Sequence, residues 1–173
     1  MKNNKSHFYM MVILFKIRDF LLPRVEILNE DGIKPGDKVL DFGCGPGGYI
    51  IPASKAVGAS GRVYALDVLP EAVNMAQRII KRNKLTNVSV IRSDCNTGLP
   101  DKSIDKVFLY DVYHGLSKPD LIFDELYRVL KKKGTLSFID HHTEEKDILD
   151  IFKKDRRFFF QKKSKKAYSF IKE

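Results

Sequence analysis

The sequence predicts an α/β fold in which a mainly parallel, seven-stranded sheet carries helices on both faces and ends in an antiparallel C-terminal hairpin. Three observations predict it. From Lys38 onward, short β-rich runs alternate with amphipathic stretches of helical period. The first of these runs passes directly into a glycine-rich turn, the usual junction between a parallel strand and its crossover helix. After Phe152 the alternation stops, and two β-rich runs flank a lysine-rich turn.

Taken in order, Phe8 to Leu28 mixes apolar residues with Lys16, Arg18 and Asp19, which predicts one or two amphipathic helices broken at Pro23. Lys38 to Phe42 is a buried strand. The turn from Gly43 to Gly48 opens a helix that reaches Val57 and is stopped by Gly58 to Gly61, with Pro52 tolerable only near the first turn. Arg62 to Asp67 is the second strand. Pro70 and Glu71 then start a helix with Ala72, Val73, Ala76, Ile79 and Ile80 on one face. Asn87 to Arg92, Lys106 to Tyr110 and Leu136 to Ile139 are the third, fourth and fifth strands. Between the last two, Ser117 and Asp120 have the spacing of a capping box, and Lys131 to Lys133 with Gly134 read as the helix end. A final helix runs from Thr143 to Phe152, and the hairpin pairs Phe158 to Lys162 with Ala167 to Ile171.

At 173 residues the chain suits one α/β domain, with residues 1–33 as a helical cap, 34–152 as the βα core and 153–173 as a basic hairpin. Its longest apolar run, Phe8 to Phe15, is far shorter than the roughly 20 residues that cross a bilayer, and no leader pattern precedes it, so a cytoplasmic chain is expected. Cys44 and Cys95 lack the spacing of a zinc site and are expected to stay reduced. The net charge is +9, concentrated from Lys153 onward, where nine Lys/Arg face only Asp155 and Glu173. Such a tail can follow phosphate or an anionic membrane surface. Solvated lysines on an edge strand also keep a sheet from aggregating.

In a doubly wound sheet, ligands bind beyond the carboxyl ends of the strands, and every candidate site residue falls there. The glycines of Gly43-Cys44-Gly45-Pro46-Gly47-Gly48 allow close approach of backbone to ligand, a pattern shared by dinucleotide and S-adenosylmethionine sites. Asp41 discriminates between them. A carboxylate at the end of an apolar strand would repel a pyrophosphate and attract an ammonium or sulfonium; its alternative role is to cap its own turn. Asp67 stands where a carboxylate accepts from ribose hydroxyls, or caps the helix at Pro70, and Val68 and Leu69 are placed to pack on a base. Asp94 could take an exocyclic amine while the N–H of Cys95 serves the ring. Tyr110, Asp111 and Tyr113 end the fourth strand, and with Tyr49 the tyrosines are candidate walls. His114 is the candidate catalytic base, against the reading of an ordinary loop histidine; of His141 and His142, at most one faces the cleft if the chain there is extended. No residue pattern suggests a metal.

Together, Val39 to Gly47, Val63 to Asp67, Asp94 and Leu126-Tyr127-Arg128-Val129-Leu130-Lys131-Lys132-Lys133-Gly134 resemble class I S-adenosylmethionine-dependent methyltransferases, over roughly Lys34 to Ile139. The likeness is greatest to the small branch with quinone-biosynthesis and arsenite methyltransferases. It implies a Rossmann-like sheet with S-adenosyl-L-methionine as cofactor. It also implies that Asp41, Gly43 and Gly45 surround the methionine part, Asp67 the ribose, and Asp94 with Cys95 the adenine, with Asp111 near the amino-acid end; Cys44 of the loop and Val68 after the second strand are further cofactor-binding candidates. The sequence has neither an Asn-Pro-Pro-Tyr motif after the fourth strand nor the cysteine trio arsenite chemistry needs. A small-molecule acceptor is therefore expected ahead of protein or RNA. Two other readings compete: a non-catalytic module that holds RNA or protein through the basic hairpin, and a nicotinamide-dependent oxidoreductase, which leaves Asp41 unexplained.

Overall fold

Seven strands form one sheet in the order β3-β2-β1-β4-β5-β7-β6 in a computed structural model that describes residues 24–173. The elements are α1 (Arg24–Glu30), β1 (Lys38–Phe42), α2 (Ile50–Val57), β2 (Arg62–Asp67), α3 (Pro70–Asn83), β3 (Val88–Arg92), β4 (Ile104–Tyr110), α4 (Pro119–Val129), β5 (Leu130–Ile139), α5 (Glu145–Asp155), β6 (Phe159–Lys163) and β7 (Tyr168–Ile171). A single 3₁₀ turn spans Tyr113–Gly115. Strands β1 to β5 pair in parallel, and β7 runs antiparallel to both β5 and β6. The chain winds outward from β1 through β2 to β3, then returns to β4 on the other side of β1. That reversal puts the switch point beside β1, between the exits of β1 and β4.

The period of two along each strand sorts the core into two layers. Val39, Val63, Ala65, Phe108 and Ile139 pack against Ile27 and Leu28 of α1, Ile50, Ala53 and Val57 of α2, and Ala76 of α3. Leu40, Val107, Leu109, Leu136 and Phe138 point the other way, onto Ile122, Phe123 and Leu126 of α4 and Ile148 and Phe152 of α5. The second layer is anchored by aromatic rings. Phe152 stacks on Phe170 of β7 with centroids 3.6 Å apart, and Phe158 meets Phe152, Phe123 and Tyr127 edge-on.

Several local expectations are corrected. The capping box at Ser117 does not form: α4 starts with Pro119, whose fixed φ suits the first helical position, and Lys118 before it makes no side-chain cap. Lys131 to Lys133 do not close that helix. The chain turns at Leu130 straight into β5, whose register against β4 slips between Ile104 and Lys106 to absorb the extra residues, and Lys131 bonds Asp105 at 2.6 Å. The strand therefore begins six residues earlier than its β-rich stretch. Pro52 is the third residue of α2, inside the first turn, where its missing N–H costs nothing. Of the N-terminal amphipathic segment, Phe8 to Phe15 and Pro23 lie outside the described residues. Among the described residues, no helix is long and apolar enough to cross a membrane.

Phe170 is fully buried and holds the hairpin to α5. Phe170→Ala is expected to lower stability by about 3–5 kcal/mol in urea denaturation, because the rings around it cannot collapse into the space left.

Candidate active site

A cleft of about 800 Å³ opens at the carboxyl ends of β1, β2, β4 and β5. Asp41 forms its floor. Parallel strands on both sides place it opposite Ala65 and Phe108, so its side chain lies on the α1–α3 face of the sheet with 3% exposure. Among the described residues, Asp41 Oδ2 is a buried oxygen with no hydrogen-bond partner. Burial raises its pKa from 3.8 to about 7; the charge of Arg24 counters this in part and the charge of Asp67 adds to it. A carboxylate left unsatisfied at such a depth is unfavourable in the empty protein and attractive to a cation.

The glycine loop wraps the exit of β1. The N–H groups of Gly43 and Cys44 both donate to Leu66 O at 2.8 Å, which ties the loop to the end of β2. Gly43 has φ +82, and a Cβ there would lie 2.3 Å from Val112 Cγ2, so both backbone and space require glycine. Gly45 has φ +51 and nothing within 4 Å of the Cβ position, which faces open space. Its N–H donates to Asp67 Oδ2 at 2.8 Å, and Leu69 N–H donates to Asp67 Oδ1 at 2.9 Å. Asp67 thus organises the turn before α3 without capping the helix, whose N-cap position is Leu69 with no side-chain cap, and it lines the cleft. Each carboxylate oxygen keeps a second lone pair for a ligand.

Val68 is 52% exposed, and with Leu69, Ser93 and Asp94 it lines the same cleft. Cys44 lines it too, but burial, with Asp41 and Asp67 adding, pushes its thiol far up and leaves it inert. Cys95 departs from expectation. Its N–H donates to Ser93 Oγ at 3.2 Å, its Sγ sits 3.5 Å from Leu121 O, and it does not line the cleft. Tyr49 and Tyr110 are walls, whereas Tyr113 turns into the core against Phe123 and Phe138.

Opposite the glycine loop, the turns after β4 and β5 are cross-linked reciprocally. Asp140, after β5, accepts at Oδ2 from both the backbone N–H and Nδ1 of His114, each at 3.0 Å. Asp111, after β4, accepts at Oδ1 from the backbone N–H of His141 at 3.1 Å and meets its Nδ1 at 2.6 Å. Burial would raise the Asp140 carboxyl, but the two donors of His114 and the N–H of His142 outweigh it and hold the pKa below the ordinary range. His142 lies against His114 with ring centroids 4.2 Å apart. Both His141 and His142 line the cleft, contrary to the alternation expected of an extended chain, because β5 ends at Ile139 and the chain turns there.

Sequence reasoning missed Arg24 and Asp31. Arg24, at the start of α1, reaches the cleft with its guanidinium carbon 4.3 Å from the centre of the Tyr49 ring. Asp31 accepts from Tyr110 OH and, at 2.8 Å, from Ser137 Oγ, and so pins the segment after α1 to β4 and β5. Neither has a local sequence signal; only the placement of α1 reveals them.

Comparison with known proteins agrees with this geometry. A family model described as a methyltransferase domain matches residues 33–173. The demethylmenaquinone methyltransferase of a Geobacillus species is 28% identical over 130 residues, 75% of this chain and 56% of that protein. The aklanonic acid methyltransferase of a Streptomyces species is 32% identical over 117 residues, 60% of this chain and 53% of that protein. The chain thus spans a little over half the length of these curated relatives. A solved structure of an S-adenosylmethionine-dependent methyltransferase from Aquifex aeolicus is similar with a TM-score of 0.79 and 30% identity, covering 90% of this chain and 91% of that one.

Because the pKa of Asp41 rises from 3.8 to about 7 on folding, its contribution to stability is full below pH 3.8 and is lost as pH rises through about 7. Asp41→Asn is therefore expected to remove that slope and to stabilise the ligand-free protein at pH 8, by about 4 kcal/mol at most. Thermal melts of both proteins from pH 4 to 8 check this.

Proposed function

The chain belongs to the class I S-adenosylmethionine-dependent methyltransferases, and on that premise we propose that it transfers a methyl group from this cofactor to a small-molecule acceptor. The observation that carries the reading is Asp41 Oδ2, a buried carboxylate oxygen unpaired among the described residues at the floor of the cleft. The donor set suits the cofactor. Asp41 would take the ammonium of the methionine part beside Gly43, Cys44 and Gly45, Asp67 the ribose hydroxyls, Val68 and Leu69 the adenine face, and Asp94 its exocyclic amine.

The bound cofactor supplies an activated methyl carbon on a sulfonium. The protein's work is to align a nucleophile with it and to exclude water. His114 would accept the acceptor's proton. The bond from Nδ1 to Asp140 fixes the proton on that nitrogen, so Nε2 carries the free lone pair. Val112, Leu116 and Ile122 give the acceptor end of the cleft apolar surface beside the histidines. This combination supports a partly apolar acceptor with an ionisable hydroxyl, such as a quinol-like compound; relatives named for methylating demethylmenaquinone and aklanonic acid support the same class.

An RNA or protein acceptor ranks behind, because Arg157, Lys163 and Lys172, three of the nine cations of the basic tail, are engaged within the fold. Arg157 is held by Asp155, Asp124 and Asp120, Lys163 by Glu145, and Lys172 donates to Tyr127 O and Leu130 O.

Calorimetric titration with S-adenosylmethionine, S-adenosylhomocysteine and NAD in parallel tests the cofactor reading. Saturable binding of the two sulfur nucleosides and none of NAD is expected; binding of NAD alone would overturn it. With a quinol-like acceptor, His114→Ala is expected to lower turnover by about 10²- to 10⁴-fold while S-adenosylhomocysteine affinity stays unchanged. Unchanged turnover would make His114 an ordinary loop residue.

A further inference from the structure

Away from the cleft, a second hollow of about 620 Å³ lies between α5 and the outer hairpin. We propose that, whatever the cleft binds, this hollow docks the chain on an anionic phospholipid bilayer, with acyl chains over its rings and lipid phosphates on the cations beside them.

Core packing sets the floor of the hollow. Phe152, Phe158 and Phe170 are buried rings of the second layer, and Leu149 stands one turn before Phe152 on α5. Phe160 meets Phe170 edge-on with centroids 5.9 Å apart, which fixes one wall. Yet Phe160 is 53% exposed, and its neighbour Phe159, which also lines the hollow, is 47% exposed. Two adjacent phenylalanines half in water on an outer strand, over a floor of further rings, mark a surface that gains by being covered.

Charge indicates what covers it. Lys153 and Arg156 line the hollow, and among the described residues no carboxylate does. Asp147 and Asp150, also on α5, lie outside it. Lys154, Lys165 and Lys166 are exposed as well, and Asp155 and Glu145 are already paired with Arg157 and Lys163. Exposed rings beside unpaired cations are the combination that seats a chain in the headgroup layer, the rings against acyl chains and the cations on phosphate.

Two other occupants fit less well. A second copy would pair with the open edge of β6, which bonds only β7. The register of β6 slips between Phe160 and Lys162, however, and a bulge spoils an edge ladder; two copies would also set Lys162, Lys163, Lys165 and Lys166 against the same charges. RNA brings phosphates that suit the cations, but its base edges need hydrogen-bond partners, and a hollow of rings, one leucine and two cations offers no side-chain acceptor. Acyl chains need none.

Co-sedimentation of the full chain with two kinds of vesicle tests this: phosphatidylcholine alone, and an equal mixture of phosphatidylcholine and phosphatidylglycerol. Oligouridylate serves as the RNA probe, and sedimentation without lipid reads the oligomeric state. The chain is expected to bind the mixed vesicles, to leave the neutral ones free and to be monomeric without lipid. Phe159→Ser combined with Phe160→Ser is expected to weaken vesicle binding by about 10- to 100-fold, and Lys153→Glu combined with Arg156→Glu by a similar factor, each with a cooperative thermal transition retained. Should the double phenylalanine variant fail to fold, Phe159→Ser alone and the charge variant decide. No binding to the mixed vesicles would overturn the inference. So would vesicle binding that survives removal of the rings, which is charge adhesion without the hollow. Tighter binding of oligouridylate that depends on the two rings would make the surface one for nucleic acid, and a lipid-free dimer dissociated by Phe159→Ser would make it one for a second copy; either result overturns the lipid assignment.

Discussion

The buried carboxylate of Asp41 is the constraint around which the rest of this structure is arranged. It sits on the central strand of a parallel sheet, flanked by Ala65 and Phe108, where nothing in the strand pattern calls for charge. Burial alone would keep it protonated near neutrality, and the partial relief comes from Arg24, on a different element. A fold that places an unsatisfied oxygen at its most buried switch point sacrifices stability there, a cost that is retained only where a ligand supplies the missing charge. The two packed apolar layers on either side of the sheet provide the rigidity that keeps the arrangement from relaxing.

The other parts of the cleft follow from that placement. The loop after β1 must curl back over Asp41 without covering it, and the paired N–H bonds to Leu66 O with a glycine jammed against Val112 achieve this. Asp67 closes the turn from the side of β2, so a carboxylate that lines the cleft is also the residue that shapes the glycine loop. From above, α1 is fastened through Asp31 to the two strands on the far side of the switch point. Loop, turn and helix therefore share one rigid frame.

How much of this can be read from the chain depends on how local each determinant is. β1, β2 and the start of α3 are legible to the residue, because a buried strand that runs into Gly43 and a proline at the first helical position are local signals. The end of α4 is not legible. Lys131, Lys132 and Lys133 have the composition of a helix terminus, yet pairing of Leu130 with Ile104 pulls the chain into β5 at once, a long-range interaction that overrides propensity. Similarly, Asp41, Asp67 and Asp94 can be picked out as cleft residues from strand ends alone. Arg24, Asp31 and the packing of Cys95 against the core beside Leu121 depend on which elements pack together. Alternation misled at His141 and His142 because it holds only while the strand lasts, and β5 stops at Ile139.

Four of the carboxylates in and beside the cleft, Asp41, Asp67, Asp111 and Asp140, show why residue type alone does not assign a role. Asp140 and Asp111 each accept both a backbone N–H and a ring nitrogen from a histidine on the opposite turn, so their capacity goes into locking the exits of β4 and β5 together and aiming His114. Those donors keep Asp140 ionised in spite of its burial. Asp67 divides its oxygens between two backbone donors and the open cleft. Only Asp41 has a buried oxygen without a donor among the described residues. The gradient runs from the satisfied carboxylates at one end of the cleft to the unsatisfied one at the other, so the end at the turns after β4 and β5 is set in advance, whereas the floor is completed by what binds there. Hydrogen-bonded carboxylates at one end of the cleft and a buried oxygen without a donor at the other are opposite electrostatic designs. In the proposed reading, the unsatisfied floor would take the charged cofactor and the preset end would present His114 to the acceptor.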